Sequence, residues 1–442
     1  MKAKLSGVPF LFGIPALLWV ACLSRPDTNE PELPVRPEDS TLVGYRVRSY
    51  FNRPIESEWK HVFGRGSIQS ESVQYVQPPT SIRLIGEPLP SITIEKLLNP
   101  PENVCGDVNV SVKVMAPSDS NLNSVEQLSI ILIGGKDLAD SANYSFDHLV
   151  RNHHLVDANR WTRLNFAMRT FNRSRTFDCR NVSRVRIRLR ALAGTVDTMY
   201  FGEFGFYPSP LSEAALILTE DDQWADFDTN GVPAMRKHGF PGTIYVNGGL
   251  LGAFNKMTLE RIKTLQDSGG WTIASHMWMH DSITALSDDS ADRSLKRNAE
   301  FLEENGFTGY RHFAYPYGLV DVEKDAVVRR NCESARLTVG WPQGEAIPYF
   351  DRYRLRVLGF LEGGVTLDMA KSAIRQLVEN KMAGILGVHQ IVLEGPLDTR
   401  KWYREDWEAL MDYVKFYVDQ GRLKLYTLEQ FAAKTRMVDQ AR

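Results

Sequence analysis

Four cysteines in 442 residues are too few to build a disulfide scaffold, and none are spaced C-x-x-C, which removes zinc-ribbon and thioredoxin-like readings. Neither sign of charge is in excess. Lys and Arg total 52 against 54 Asp and Glu, and the net charge of −2 gives no drive toward nucleic acid or anionic membranes. Beyond the first 22 residues, no run approaches the ~20 apolar residues that a spanning helix requires. No repeat occurs at a solenoid period. No carboxylate pair is marked at the separation that hydrolysis of a glycosidic bond needs. Hydrophobic residues are not depleted either: at 43% they exclude wholesale disorder. What remains is a folded chain with room for roughly three domains, or two if one is a barrel.

The N-terminus reads as a targeting segment. Lys2 and Lys4 precede an apolar run from Val8 to Val20, followed by Ala21 and Cys22. Residues 1–22 resemble a bacterial lipoprotein signal with Cys22 as the lipidated residue, although Trp19 stands where a small aliphatic residue is usual. A plain cleaved signal and an uncleaved anchor are the alternatives. All three imply export, to the cell envelope or as a secreted protein, with membrane contact only through such an N-terminal anchor. Residues 23–43 form a Pro- and acid-rich linker, with Pro26, Pro31, Pro34 and Pro37 among several acidic residues, stiff and extended enough to act as a tether.

Two periodicities divide the remainder. From residue 44 to 210, short alternating runs such as Val108–Val114, Leu128–Ile133, Trp161–Met168 and Met199–Phe206 predict an all-β sandwich, jelly-roll-like. Such a module could bind carbohydrate, although Trp59 and Trp161 suit a core as well as a sugar platform. Cys105 and Cys179 lie in this region and could pair in an exported chain. From 211 to 442, strands such as Leu216–Thr219, Gly242–Val246, Trp271–Ser275 and Gly384–His389 alternate with helical patterns, including Leu367–Asn380 behind the N-cap Thr366. That alternation predicts an α/β domain, a distorted (β/α)7–8 barrel, whose catalytic residues would sit at the C-terminal ends of its strands.

Polar residues gather at those ends: Glu220-Asp221-Asp222, His276 and His280, Arg311 through Gly318, and His389. Two imidazoles and a carboxylate are the donor set of a three-ligand divalent site with an open position, where a water can reach a pKa of roughly 7. A second carboxylate beside it can act as base, and a histidine opposite as acid. Adjacent strand residues face opposite ways, so Asp221 and Asp222 can both serve only if the strand bends or ends; the pattern places its end at Thr219. The H-x-x-x-H spacing of His276 and His280 would put both rings on one face of a helix.

On these motifs the chain from about Ala215 to Met437 resembles carbohydrate esterase family four, the metal-dependent polysaccharide deacetylases. Thr219–Asp222 is similar to the family's T-F-D-D motif, Ser275–His280 to H-[S/T]-x-x-H, Arg311–Gly318 to its third motif, and Leu386–His389 to L-x-x-H. The resemblance implies Asp222, His276 and His280 as metal ligands and Asp221 as base. It also implies Arg311 as the arginine holding that base, the Tyr317 backbone N–H as an oxyanion donor, and His389 as general acid. The implied cofactor is a divalent ion, zinc first, with Co2+ or Ni2+ as alternatives, and the implied partner is an acetylated polysaccharide. Three departures stand out: Glu220 and Gln223 flank the aspartates in place of Phe and Gly, and Met277 replaces the Ser or Thr that would brace the histidine loop. The aspartate–tryptophan motif that tunes the acid histidine is not cleanly present, and Trp341 is a candidate for lining the acetyl pocket. The leading expectation is hydrolysis of N-acetyl groups on an envelope or extracellular glycan. The alternatives are a catalytically weak glycan-binding homologue and an O-acetyl esterase on polysaccharide.

Overall fold

The computed structural model describes residues 44–75, 80–87, 91–147, 158–340, 344–347, 349, 351–398 and 400–440. The signal-like segment with Cys22, the linker of residues 23–43 and Trp341 lie outside the described residues. Among the described residues, no helix is long and apolar enough to cross a membrane.

Alternation shapes the N-terminal part. In the strand Val182–Ala191, Val185, Ile187, Leu189 and Ala191 are buried, while four intervening arginines keep to the other face. Arg186 meets its cross-strand neighbour Glu95 at 2.7 Å, a pairing that favours this register. Between Arg46 and Pro208 the chain forms two six-stranded antiparallel sheets. One is ordered Gly66–Glu71, Ser81–Gly86, Asp197–Pro208, Val108–Met115, Thr162–Ala167, with Arg46–Ser49 also on Asp197–Pro208. The other is ordered Asn172–Arg173, Ser141–Asp147, Val125–Ile133, Val182–Ala191, Ile92–Glu102, Lys60–Phe63. Val110, Val112 and Val114 of the first and Val185, Ile187 and Leu189 of the second enter one buried apolar cluster. Trp59 belongs to it, stacked on Phe51 at 4.9 Å with its Nε1–H donating to Ser49 Oγ, so its ring is not open to a sugar. Cys105 and Cys179 are joined as a disulfide, whereas Cys332 is free and buried.

The C-terminal part is a nine-stranded parallel sheet. Its order is Leu355–Val357, Ser334–Gly340, His312–Ala314, Thr272–Ser275, Thr243–Val246, Ala214–Asp221, Ala383–Val388, Gly359–Leu361, with Leu423–Tyr426 added beside Ala214–Asp221. The two edge strands are separated in sequence by Leu358 alone, so the margins of the sheet are held together and it curls into a near-closed barrel. Every residue of Ala214–Asp221 is buried, as expected for a parallel strand covered on both faces. Leu216 and Leu218 pack outward with Ile262, Leu410 and Val414 of the surrounding helices, while Ala215 and Ile217 point inward beside Tyr245, Ala274 and Ala314. Four of the helices begin on side-chain caps: Thr258, Ser287, Asp321 and Thr366 each accept an N–H from their own first turn. Leu367–Asn380 has the bounds its pattern predicts.

Polar contacts connect the antiparallel sheets to the barrel. Arg160 donates to Asp325 at 2.9 Å and to Asp351 at 3.1 Å, and Lys381 donates to Asp107 at 2.7 Å.

Candidate active site

The aspartate pair sits where a strand gives way to a turn. The strand does not end at Thr219, as its pattern predicts, but runs through Asp221. Alternation then puts Asp221 on the inward face with Ala215 and Ile217, and would send Asp222 outward. Left-handed backbone at Asp222 (φ 78°) and Gln223 (φ 50°) reverses the chain immediately afterwards, and Asp222 also reaches the site. The segment from His276 to His280 is likewise a turn and not a helix: Met277 and His280 have φ of 65° and 61°. The two rings still meet, with centroids 4.9 Å apart. Tyr317 is left-handed too. Such backbone costs roughly 1 to 2 kcal/mol per residue outside glycine, and its concentration here fits a site whose geometry is imposed by its surroundings.

One ligand atom from each of Asp222, His276 and His280 lies within 4.8 Å of the others. His280 Nε2 is 3.4 Å and His276 Nε2 3.7 Å from Asp222 Oδ1. The carbonyl of Ala314 lies 2.8 Å from His276 Nδ1 and can only accept, so that nitrogen carries the proton and Nε2 presents a lone pair. Burial also lowers the pKa of His276, favouring the neutral ring. Asp222 Oδ1 is buried with no hydrogen-bond partner. A carboxylate oxygen and an imidazole lone pair thus converge with a second imidazole beside them, and a divalent cation fits this donor set.

Asp221 is buried, and burial alone would raise its pKa. The Arg336 guanidinium, with lesser help from His276 and His389, outweighs that and holds the carboxyl below its usual value. Arg336 Nη2 lies 2.5 and 2.6 Å from the two Asp221 oxygens, with its guanidinium over the Tyr245 ring at 4.8 Å and the Phe360 ring at 5.2 Å. This corrects the expectation for Arg311, which is part-exposed and faces Glu333 at 3.5 Å. Arg336 lies in register with Ala314, on the strand after the one Arg311 precedes. A lone arginine inside the apolar run Ser334–Gly340 was the available signal for it.

His389 follows the strand Ala383–Val388, neighbour to Ala214–Asp221, and its ring stacks on Phe360 at 5.1 Å. Burial lowers its pKa, while Asp221 and Asp222 oppose that shift. Its Nδ1 is buried and unpartnered, so no described residue occupies the place of a tuning carboxylate. The exposed Tyr317 ring packs edge-on against His280 with centroids 4.6 Å apart. Lys256, which sequence reasoning missed, donates to the Asp222 carbonyl at 3.0 Å and lies 3.2 Å over the ring of Trp224.

A parallel-strand barrel thus carries, at its strand ends, an Asp-His-His cluster that could hold a metal ion and a second aspartate beside it. Residues 209–332 match the polysaccharide deacetylase family model. A poly-beta-1,6-N-acetyl-D-glucosamine N-deacetylase of Staphylococcus epidermidis is 25% identical over 156 residues, covering 30% of this chain and 52% of that one. A protein of the same name from Staphylococcus aureus is 23% identical over 145 residues, covering 30% and 49%. The chain thus spans about half the length of the curated relatives it matches. Among solved structures, a putative polysaccharide deacetylase from Mycobacterium smegmatis is 15% identical with a TM-score of 0.37, covering 52% of this chain and 93% of that one.

Proposed function

We propose that this protein is an exported, metal-dependent deacetylase that removes N-acetyl groups from an extracellular or envelope polysaccharide built on N-acetylglucosamine. The observation that carries the reading is the convergence of Asp222, His276 and His280 beside an Asp221 kept ionised by Arg336. The names of the staphylococcal relatives support poly-β-1,6-N-acetylglucosamine as the first substrate to test.

Asp222, His276 and His280 would hold the ion, which supplies a Lewis acid for the acetyl carbonyl and lowers the pKa of water in the site. Asp221 takes the proton from the attacking water, and Arg336 keeps it ready to do so. The Tyr317 backbone N–H donates to the oxyanion of the tetrahedral intermediate. His389, on the neighbouring strand end, gives a proton to the departing amine. In this reading the two antiparallel sheets are a jelly-roll-like sandwich that holds glycan near the barrel.

The test is acetate release from β-1,6- and β-1,4-linked N-acetylglucosamine oligomers and from an O-acetylated glycan, before and after chelation and with Zn2+ restored. Release from an N-acetylated oligomer that stops on chelation and returns with Zn2+ is expected. Release only from the ester makes the protein an O-acetyl esterase. The unpartnered His389 Nδ1 favours one second reading, a catalytically weak glycan binder, which retained glycan without acetate release would establish.

A further inference from the structure

Two primary amides behind the ligand residues form a continuous buried link. The Gln223 side chain pairs with both main-chain groups of Asn247: its Nε2–H donates to the Asn247 carbonyl at 3.2 Å, and its Oε1 accepts the Asn247 N–H at 3.0 Å. The Asn247 side chain in turn donates from Nδ2 to the carbonyls of His276 and Met277, the latter at 3.2 Å. Two carbonyls face that nitrogen, which fixes the orientation of the amide because its oxygen could not replace it there. Gln223 and Asn247 have no exposed surface. Gln223 adjoins Asp222, and the carbonyls held by Asn247 belong to His276 and its neighbour. The path therefore runs from one ligand turn to the other without touching a ligand side chain.

The turns need such a link. Asp222, Gln223 and Met277 all have left-handed backbone, which a free loop of these residue types would leave. The Met277 side chain lies in an apolar cluster and offers no hydrogen bond to its own loop. Glu220 secures the first turn from the other side, accepting the N–H groups of Gln223 at 3.1 Å and Trp224 at 2.8 Å.

We propose that Gln223 and Asn247 are positioning residues, an amide brace that fixes the Asp222 turn against the His276 turn so that the three ligand atoms are assembled before the ion arrives. This deepens the metal-site reading above and rests on it. The brace predicts that removing either amide weakens divalent-ion affinity while the ligand side chains remain, by about 10- to 100-fold, as for other outer partners of metal ligands. Because the two amides form one link, losing both should cost little more than losing the more damaging one.

The experiment uses the full chain and Zn2+ alone. Wild type, Asp222→Ala, Gln223→Met, Asn247→Leu and the Gln223→Met/Asn247→Leu double variant are titrated with Zn2+ against a chromophoric chelator. The visible spectrum of each Co2+-loaded form is recorded, with thermal unfolding of the metal-free proteins alongside. Expected are affinities 10- to 100-fold below wild type for both single variants, a double variant close to the weaker single one, and altered Co2+ bands. Zn2+ affinity and Co2+ bands equal to wild type, with only the metal-free unfolding temperature lowered, would overturn the brace and leave it a folding contact. Additive losses in the double variant would overturn the single link. Equal Zn2+ binding by wild type and Asp222→Ala would instead overturn the metal site itself. If Asn247→Leu does not fold, Gln223→Met alone decides by its Zn2+ affinity and Co2+ spectrum, since it removes the same link at similar side-chain volume.

Discussion

Arg336 and Arg311 differ in surroundings more than in sequence context. Arg336 has no exposed surface and two carboxylate oxygens within 2.6 Å, in a low-dielectric setting where an ion pair cannot be replaced by water. Arg311 is 47% exposed at its side chain and pairs loosely, an arrangement worth about 0 to 1 kcal/mol. Arg336→Met should let burial raise the Asp221 pKa, so that the base is protonated at neutral pH and regains its charge only as pH rises. The acid limb of the kcat/KM profile should then move to higher pH, whereas Arg311→Ala should leave that profile in place. Asp221→Asn should keep bound metal and lower acetate release by about 10²- to 10⁴-fold, the range for loss of a general base; metal analysis beside an acetate assay reads both.

Strands and helices show how far the sequence carries. A period of two runs through the sequence from Val185 and one of 3.6 through Leu367–Asn380, each because a single buried face dictates it. The turns were not legible: Asp222, Met277 and His280 have left-handed backbone that no glycine advertises, with tertiary hydrogen bonds at the first two. For the same reason the donor types of the site could be read from its motifs, while Arg336, Lys256 and Asn247, brought in by other strands and loops, could not, and the pairing of Gln223 with Asn247 shows only in the fold. Closely approaching strands set a further constraint. A Cβ on Gly387 would lie 2.7 Å from the Phe360 ring, and one on Gly384 would lie 2.7 Å from Leu358. Both Gly384→Ala and Gly387→Ala should destabilise by about 1 to 3 kcal/mol in denaturant unfolding. Gly387→Ala should also depress turnover, because the Phe360 ring contacts both His389 and Arg336.

Stability of the whole molecule should respond to one carboxyl remote from the barrel. Asp197 is fully buried, and burial pushes its pKa up to about 7 despite hydrogen bonds from Ser124 at 3.0 Å and the Thr198 N–H at 2.8 Å. The folded state therefore retains a proton that the unfolded chain releases near its ordinary value. This contribution is complete below that value and is lost as pH rises through about 7. Relative to Asp197→Asn, which stays neutral, the native protein should lose about 2 to 3 kcal/mol between pH 5 and pH 8, measured by urea unfolding at each pH. The disulfide acts at the same scale: joining residues 74 apart, Cys105→Ser/Cys179→Ser should cost about 2 to 4 kcal/mol in the same assay.

The barrel's seam bears on how the domain could breathe. Because Leu358 directly links its last two margins, the ring cannot widen there by breaking hydrogen bonds alone; a peptide segment spans the gap like a buckle. The wall that carries His389 is paired to that seam on one side and to the aspartate strand on the other, so its spacing from Asp221 is set by strand pairing on both flanks. If the site takes a polymer, as proposed, room for it has to come from the loops above the strands.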